Sequence, residues 1–114
     1  MVVHRREVWW ADLDEPRGSE PGFRRPVLIV QAEAFNRSRL KTGLCVILPS
    51  DSRLDVGRGN VLVRQGDSGL PRDSVANVTQ VVTLDQDFLA EKVGRIPPKT
   101  MAKVDAGLRL VLDL

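Results

Sequence analysis

At 114 residues, 42% hydrophobic and 28% charged, the chain has the size and composition of one soluble domain spanning residues 1–114, able to fold without a disulfide or metal staple. A single cysteine and a single histidine exclude a typical zinc site, and no apolar run approaches membrane-spanning length, so no metal, other cofactor or membrane is expected. The formal net charge is only +2, yet arginine outnumbers lysine 13 to 4 and residues 1–64 hold 11 basic against 8 acidic side chains, which fits a phosphate-facing surface as well as an ordinary solvated one.

The N-terminal MVVHRREV lacks the apolar stretch of a secretion signal, so a cytoplasmic location is expected. Glu7–Leu13, rich in Val and Trp, predicts a strand, closed by the turn residues Asp14–Ser19. Trp9 and Trp10 are neighbours and face opposite sides of such a strand, one toward the core and the other available for stacking on a base or a partner. Pro26–Gln31 reads as an apolar strand buried on both faces, and Leu44–Leu48 as another. Cys45, among apolar neighbours, is expected to be a buried strand residue. Pro49–Gly59 reads as a long loop, Asn60–Arg64 as a strand, and Gln65–Arg72 as a second loop. Ser74–Thr83 reads as one Val/Thr-rich strand region and Val93–Ile96 as a short strand. After Pro97-Pro98, the residues Met101, Val104, Leu108, Val111 and Leu112 recur at helical spacing and predict a C-terminal helix with one apolar stripe. Short strands at this spacing followed by one helix predict a mainly β fold, a small barrel or sandwich.

The stretch Gly18–Val30, GSEPGFRRPVLIV, carries the most chemistry. A polar loop punctuated by Gly and Pro delivers Arg24 and Arg25 onto the start of an apolar strand. Guanidinium groups are planar, permanently charged forks suited to phosphate, and a strand gives them a rigid base. His4, the only histidine, lies in the N-terminal segment and is not expected to act as a catalytic base. Any metal-free chemistry at a bound phosphate would therefore lean on arginine, on hydroxyls and on positioning.

EVWWADLDEPRGSEPGFRRPVLIVQAEAFN (Glu7–Asn36) resembles the N-terminal signature of the MazF/PemK toxin endoribonucleases. The likeness continues in order through GNVLV (Gly59–Val63), GLPRDSVAN (Gly69–Asn77), VTQVVTL (Val78–Leu84), VGRIPPKTM (Val93–Met101) and the C-terminal helix. The resemblance implies an SH3-like small β-barrel of the CcdB/MazF type with a C-terminal helix. It implies a homodimer with an RNA groove across its interface, cleavage of single-stranded RNA through 2′-OH attack, and a cognate MazE-like antitoxin whose tail covers the site. It gives Arg25, in the family's R-P motif, the essential role in cleavage. Arg24, its neighbour, would point differently and reads as an auxiliary phosphate contact or a solvated residue.

The family's Thr or Ser at the end of the third strand has no unambiguous counterpart in Ile47-Leu48-Pro49-Ser50-Asp51-Ser52. Aligned backward from the GNV strand, Pro49 falls at the usual Thr and Ser50 follows; aligned on the proline, Asp51 falls there and Ser52 follows. Ser50 is the first candidate and Ser52 the second, against a plain turn-forming cluster. Glu20, in G-S-E, would orient Arg25, contact RNA or stabilise its loop. Thr79 and Gln80 stand where the family often has Asp-Gln, with Gln80 placed to read a base edge. Asn36 would help bind a base or simply make a turn. Arg53, Arg58 and Arg64 would meet phosphates from the two loops. Two other functions remain open: a non-catalytic CcdB-like gyrase-binding toxin, disfavoured by the Val111-Leu112-Asp113-Leu114 ending without Trp, and an RNA-binding module without turnover.

Overall fold

The computed structural model of the chain describes residues 2–13, 24–50 and 57–114. Glu20, Ser52 and Arg53 lie outside the described residues. Strands β1 (Glu7–Asp12), β2 (Arg24–Ile29) and β3 (Thr42–Ile47) are consecutive antiparallel neighbours, with Trp10 opposite Pro26 and Leu28 opposite Val46. A one-turn helix α1 (Glu33–Asn36) joins β2 to β3. β4 (Val61–Val63) and β5 (Ser74–Ala76) pair as a separate ribbon joined through the short helix α2 (Gln65–Ser68). β6 (Val81–Asp85) pairs with β3, and β7 (Leu89–Arg95) pairs with β1, giving the five-stranded order β6-β3-β2-β1-β7. Helix α3 (Pro98–Leu112) completes the chain. No helix among the described residues is long and apolar enough to cross a membrane.

The apolar β2 run has a structural cause. Val27, Leu28 and Ile29 are all fully buried because each face of the central sheet carries its own core. Val8, Leu28, Val46 and Leu48 point to one face, against β4, β5 and the α3 residues Met101 and Val104. Trp9, Ala11, Val27, Ile29, Cys45 and Ile47 point to the other, closed by Val3 and Leu89. The two tryptophans divide as their adjacency requires: Trp9 is buried in the second core, and Trp10 packs half-buried against the first. Burial pushes the Cys45 thiol up to about 12, so it is a packing residue and not a reactive one.

Four expectations change in detail. Ser74–Thr83 is not one strand. It breaks at Asn77, whose side chain accepts from Thr79 N and Thr79 Oγ1 and donates to Gln80, turning the chain between β5 and β6. The sixth expected strand is longer, Leu89–Arg95, because its middle is a solvated sheet edge without apolar alternation. The apolar stripe of α3 stops short: Met101, Val104 and Gly107 are buried, but Val111 and Leu112 are 42% and 56% exposed. The helix approaches most tightly at Gly107, where a Cβ would stand 2.1 Å from the Gly59 carbonyl oxygen, and Leu108 still packs against the core. Finally, β6 and β7 are outer strands that do not pair with each other, so the described strands form two abutting sheets and not a closed barrel.

Candidate functional site

A pocket of about 580 Å³ opens where the start of β2 meets the end of β3 and the loop before β5. Arg24, Arg25 and Pro26 supply one wall, Ile47 to Ser50 the second, and Leu70, Pro71, Arg72 and Ser74 the third, with Trp10 of β1 between. The walls are pinned by backbone hydrogen bonds. Leu48 N donates to Pro26 O at 3.0 Å, Val75 N to Pro49 O at 2.9 Å and Asn77 N to Ile47 O at 3.2 Å. The third wall is braced from behind: Gln65 N donates to Asp73 Oδ1 at 2.9 Å, and Leu70 N to Ser68 Oγ at 3.0 Å. Gly94 of β7 lies flush on this segment, where a Cβ would come within 2.5 Å of Ser68 O.

Local chemistry aims the arginines. Proline has no N–H to give to a ladder, so Pro26 fits only near the start of β2. It also restricts the residue before it to extended backbone, so Arg25 is held in strand conformation at the pocket edge. Arg25 and Ser50 are both exposed and both line the pocket.

The three pocket arginines differ in their partners. Arg24 Nη2 donates to Glu91 Oε2 at 2.9 Å, and its Cζ lies 5.6 Å from the centroid of the Trp10 ring. Neither Arg25 nor Arg72 has an ion-pair partner among the described residues. An unpaired guanidinium beside a largely apolar hollow is suited to an anion that binds there. Arg72 was not among the residues singled out from the sequence; its signal was the Pro71-Arg72 pair inside GLPRDSVAN.

Other expected site residues fall elsewhere. Asn36 is buried, donates to Gln31 O at 3.0 Å and to Glu33 Oε1 at 2.9 Å, and follows the end of β2 remote from Arg25. Its side chain shapes the β2–β3 connection, the turn-making alternative of the two read from the sequence. Thr79 and Gln80 are exposed in the β5–β6 turn, and Gln80 O accepts from Ile47 N, one strand-end away from the pocket. Arg58 is exposed next to Gly59, and Arg64 lines a second groove of about 540 Å³ between β4 and α3 with Lys103 and Leu110. The structure does not bring these two arginines to the first pocket. His4 is tied to Glu33 through Nδ1 at 2.9 Å, away from it. Among the described residues no three metal-ligating side chains cluster.

Comparison with known proteins matches residues 4–112 to the model of the PemK-like, MazF-like toxin of type II toxin–antitoxin systems. Endoribonuclease MazF6 of Mycobacterium tuberculosis is 47% identical over 114 residues, covering 100% of both chains. A solved endoribonuclease from a mycobacterial species superposes with a TM-score of 0.79 at 26% identity, covering 100% of this chain and 94% of that one. An endoribonuclease solved in complex with its cognate antitoxin, also mycobacterial, gives 0.74 at 25% identity over 99% and 95% of the two chains. With its fold and residues 4–112 matched, the chain belongs to the PemK-like, MazF-like toxin family of type II toxin–antitoxin systems.

Proposed function

We propose that the pocket holding Arg25, Ser50 and Arg72 is where this MazF-type endoribonuclease cleaves single-stranded RNA. The observation that carries the proposal is two guanidinium groups without ion-pair partners among the described residues on one pocket that also holds a hydroxyl. In the reaction the ribose 2′-oxygen attacks the adjacent phosphorus and the bond to the 5′-oxygen breaks. The products are a 2′,3′-cyclic phosphate and a 5′-hydroxyl. The proton lost by the 2′-OH is balanced by one gained on the leaving oxygen, so the step needs no co-reactant. Negative charge grows on the non-bridging oxygens, and a pre-set Arg25 stabilises it more in the transition state than in the ground state. Ser50 Oγ donates a hydrogen bond to the same phosphate; Ser52 is the alternative donor. Thr79 and Gln80 extend the surface beyond the pocket, where the free amide donors of Gln80 meet a base edge. Glu20, Arg53 and Arg58 are kept as RNA contacts in the same reading.

The toxin works as a homodimer with a MazE-like antitoxin as inhibitor. Leu110, Val111 and Leu112 of α3 and Leu114 after it are exposed and offer an apolar edge for a second copy. An antitoxin tail that carries acidic side chains would complement the arginines of the pocket. Two abutting sheets around a shared central layer are the partly open form of the SH3-like barrel in this reading, and cytoplasmic RNA is its substrate.

The test is incubation of the purified protein with mixed-sequence RNA in excess EDTA, followed by analysis of fragment ends. Cyclic phosphate and 5′-hydroxyl ends, with a 2′-deoxy substitution at the cut position blocking cleavage, support the mechanism. Cleavage that survives the 2′-deoxy substitution overturns it.

A further inference from the structure

Three strands converge on one guanidinium. Arg24 opens β2, Trp10 lies on β1, and Glu91 lies on β7, which flanks β1 on its other side. Trp10 and Glu91 are direct partners in the β1–β7 register. Register shifts fall on either side of the Trp9-Trp10 pair, the kind of irregularity that re-aims a side chain beside a site. One ladder therefore places both the ring under Arg24 and the carboxylate at its edge, 5.6 Å and 2.9 Å away.

We propose that Trp10 and Glu91 make Arg24 a base-reading residue, selective for a nucleobase that presents two adjacent acceptors, guanine or cytosine. The inference rests on the RNA-cleaving reading of the pocket. A guanidinium carries five N–H donors in one plane. Trp10 covers its face and Glu91 takes a donor from Nη2, so the remaining donors project in a fixed direction at the pocket wall. Guanine offers O6 and N7 side by side, and cytosine offers O2 and N3. Adenine and uracil alternate acceptor with donor along their edges and meet only one N–H of the fork.

A phosphate also accepts such a fork, but carries no sequence information. Glu91 decides between the two. Its carboxylate offsets the charge of Arg24, which weakens a contact made for charge and leaves one made for direction. Arg25 and Arg72, with no such partner among the described residues, are the phosphate-holding arginines of the pocket. Glu91 does not touch RNA in this scheme; it is a positioning residue.

The experiment is selection of bound sequences from a randomised 2′-fluoro RNA library, which lacks the attacking hydroxyl, by the wild type, Arg24→Lys and Glu91→Ala. The wild type is expected to enrich guanine or cytosine at one position roughly tenfold over adenine and uracil. Both variants lose that preference and keep the others; Arg24→Lys keeps the charge, so its total binding falls less than its selectivity. Both side chains are half or more exposed, and an unchanged thermal unfolding midpoint confirms an intact fold. A wild type without the preference, a preference that persists in either variant, or a uniform loss across all sequences overturns the inference. Cleavage of unmodified RNA by the same preparation is scored separately. Cutting without the preference overturns only the base reading, and the preference without cutting overturns only the nuclease reading.

Discussion

The two ends of the central sheet use the same residue types to opposite effect. At the end remote from the pocket, Arg5, His4 and Glu33 are partnered within the protein. Arg5 donates to both carboxylate oxygens of Asp105 on α3 and, through Nε, to Val30 O at 3.0 Å. Glu33 accepts from Arg5 N, His4 Nδ1 and Asn36 Nδ2. Those hydrogen bonds, the Arg5 backbone N–H first, hold its carboxyl down at about 2 against an ordinary 4.5. This cluster ties the N-terminal segment to α1 and α3. At the pocket end, Arg25 and Arg72 face a hollow with no carboxylate to meet them among the described residues. Arginines that end on a carboxylate hold the fold, and arginines that end on a cavity await an anion. Arg24 stands between, half engaged by Glu91 and Trp10.

That contrast breaks most sharply at Arg25. Arg25→Ala is expected to lower the cleavage rate about 10²–10³-fold, the loss typical of removing a transition-state charge partner, with the unfolding midpoint unchanged. Arg72→Ala is expected to cost roughly tenfold, measured with the same labelled RNA, since it removes one charge-assisted contact. Arg5→Ala should do the reverse. It is expected to lower stability by about 1–2 kcal/mol in urea unfolding, because Asp105 and Val30 O lose a shared partner, and to leave cleavage intact. The mildest test uses pH. Because the folded Glu33 carboxyl titrates below its unfolded value, its contribution to stability is complete above about pH 4.5 and is lost as pH falls toward 2. Glu33→Gln should therefore be less stable than wild type at neutral pH, with the gap closing below pH 4; a gap constant across that range contradicts the assignment.

Local pattern made much of the fold legible. The apolar β2 run gave a strand buried on both faces, and the adjacency of Trp9 and Trp10 gave their opposite orientations. Arg25 was legible from its Arg-Pro setting at the start of that strand. What escaped depends on contacts distant in sequence. Arg72 looks like any loop arginine; it reaches the pocket where Val75 N pairs with Pro49 O and Asn77 N with Ile47 O, contacts remote in sequence. Asn36 has the composition of a base reader, but the buried amide of Gln31, donating to its Oδ1 at 2.9 Å, and the Glu33 carboxylate claim it. The turn at Asn77 hid inside a Val/Thr-rich run because the run continues as strand on both sides. The tight contact of α3 at Gly107 was equally hidden, since it depends on the approach of the Gly59 backbone and not on helix periodicity.

The most direct measurement is end-mapped cleavage of one RNA by wild type, Arg25→Ala and Arg5→Ala side by side, each checked for fold. The account predicts the same discrete cuts for wild type and Arg5→Ala and none for Arg25→Ala. Cuts of wild-type intensity from Arg25→Ala, or their loss in a folded Arg5→Ala, would contradict it.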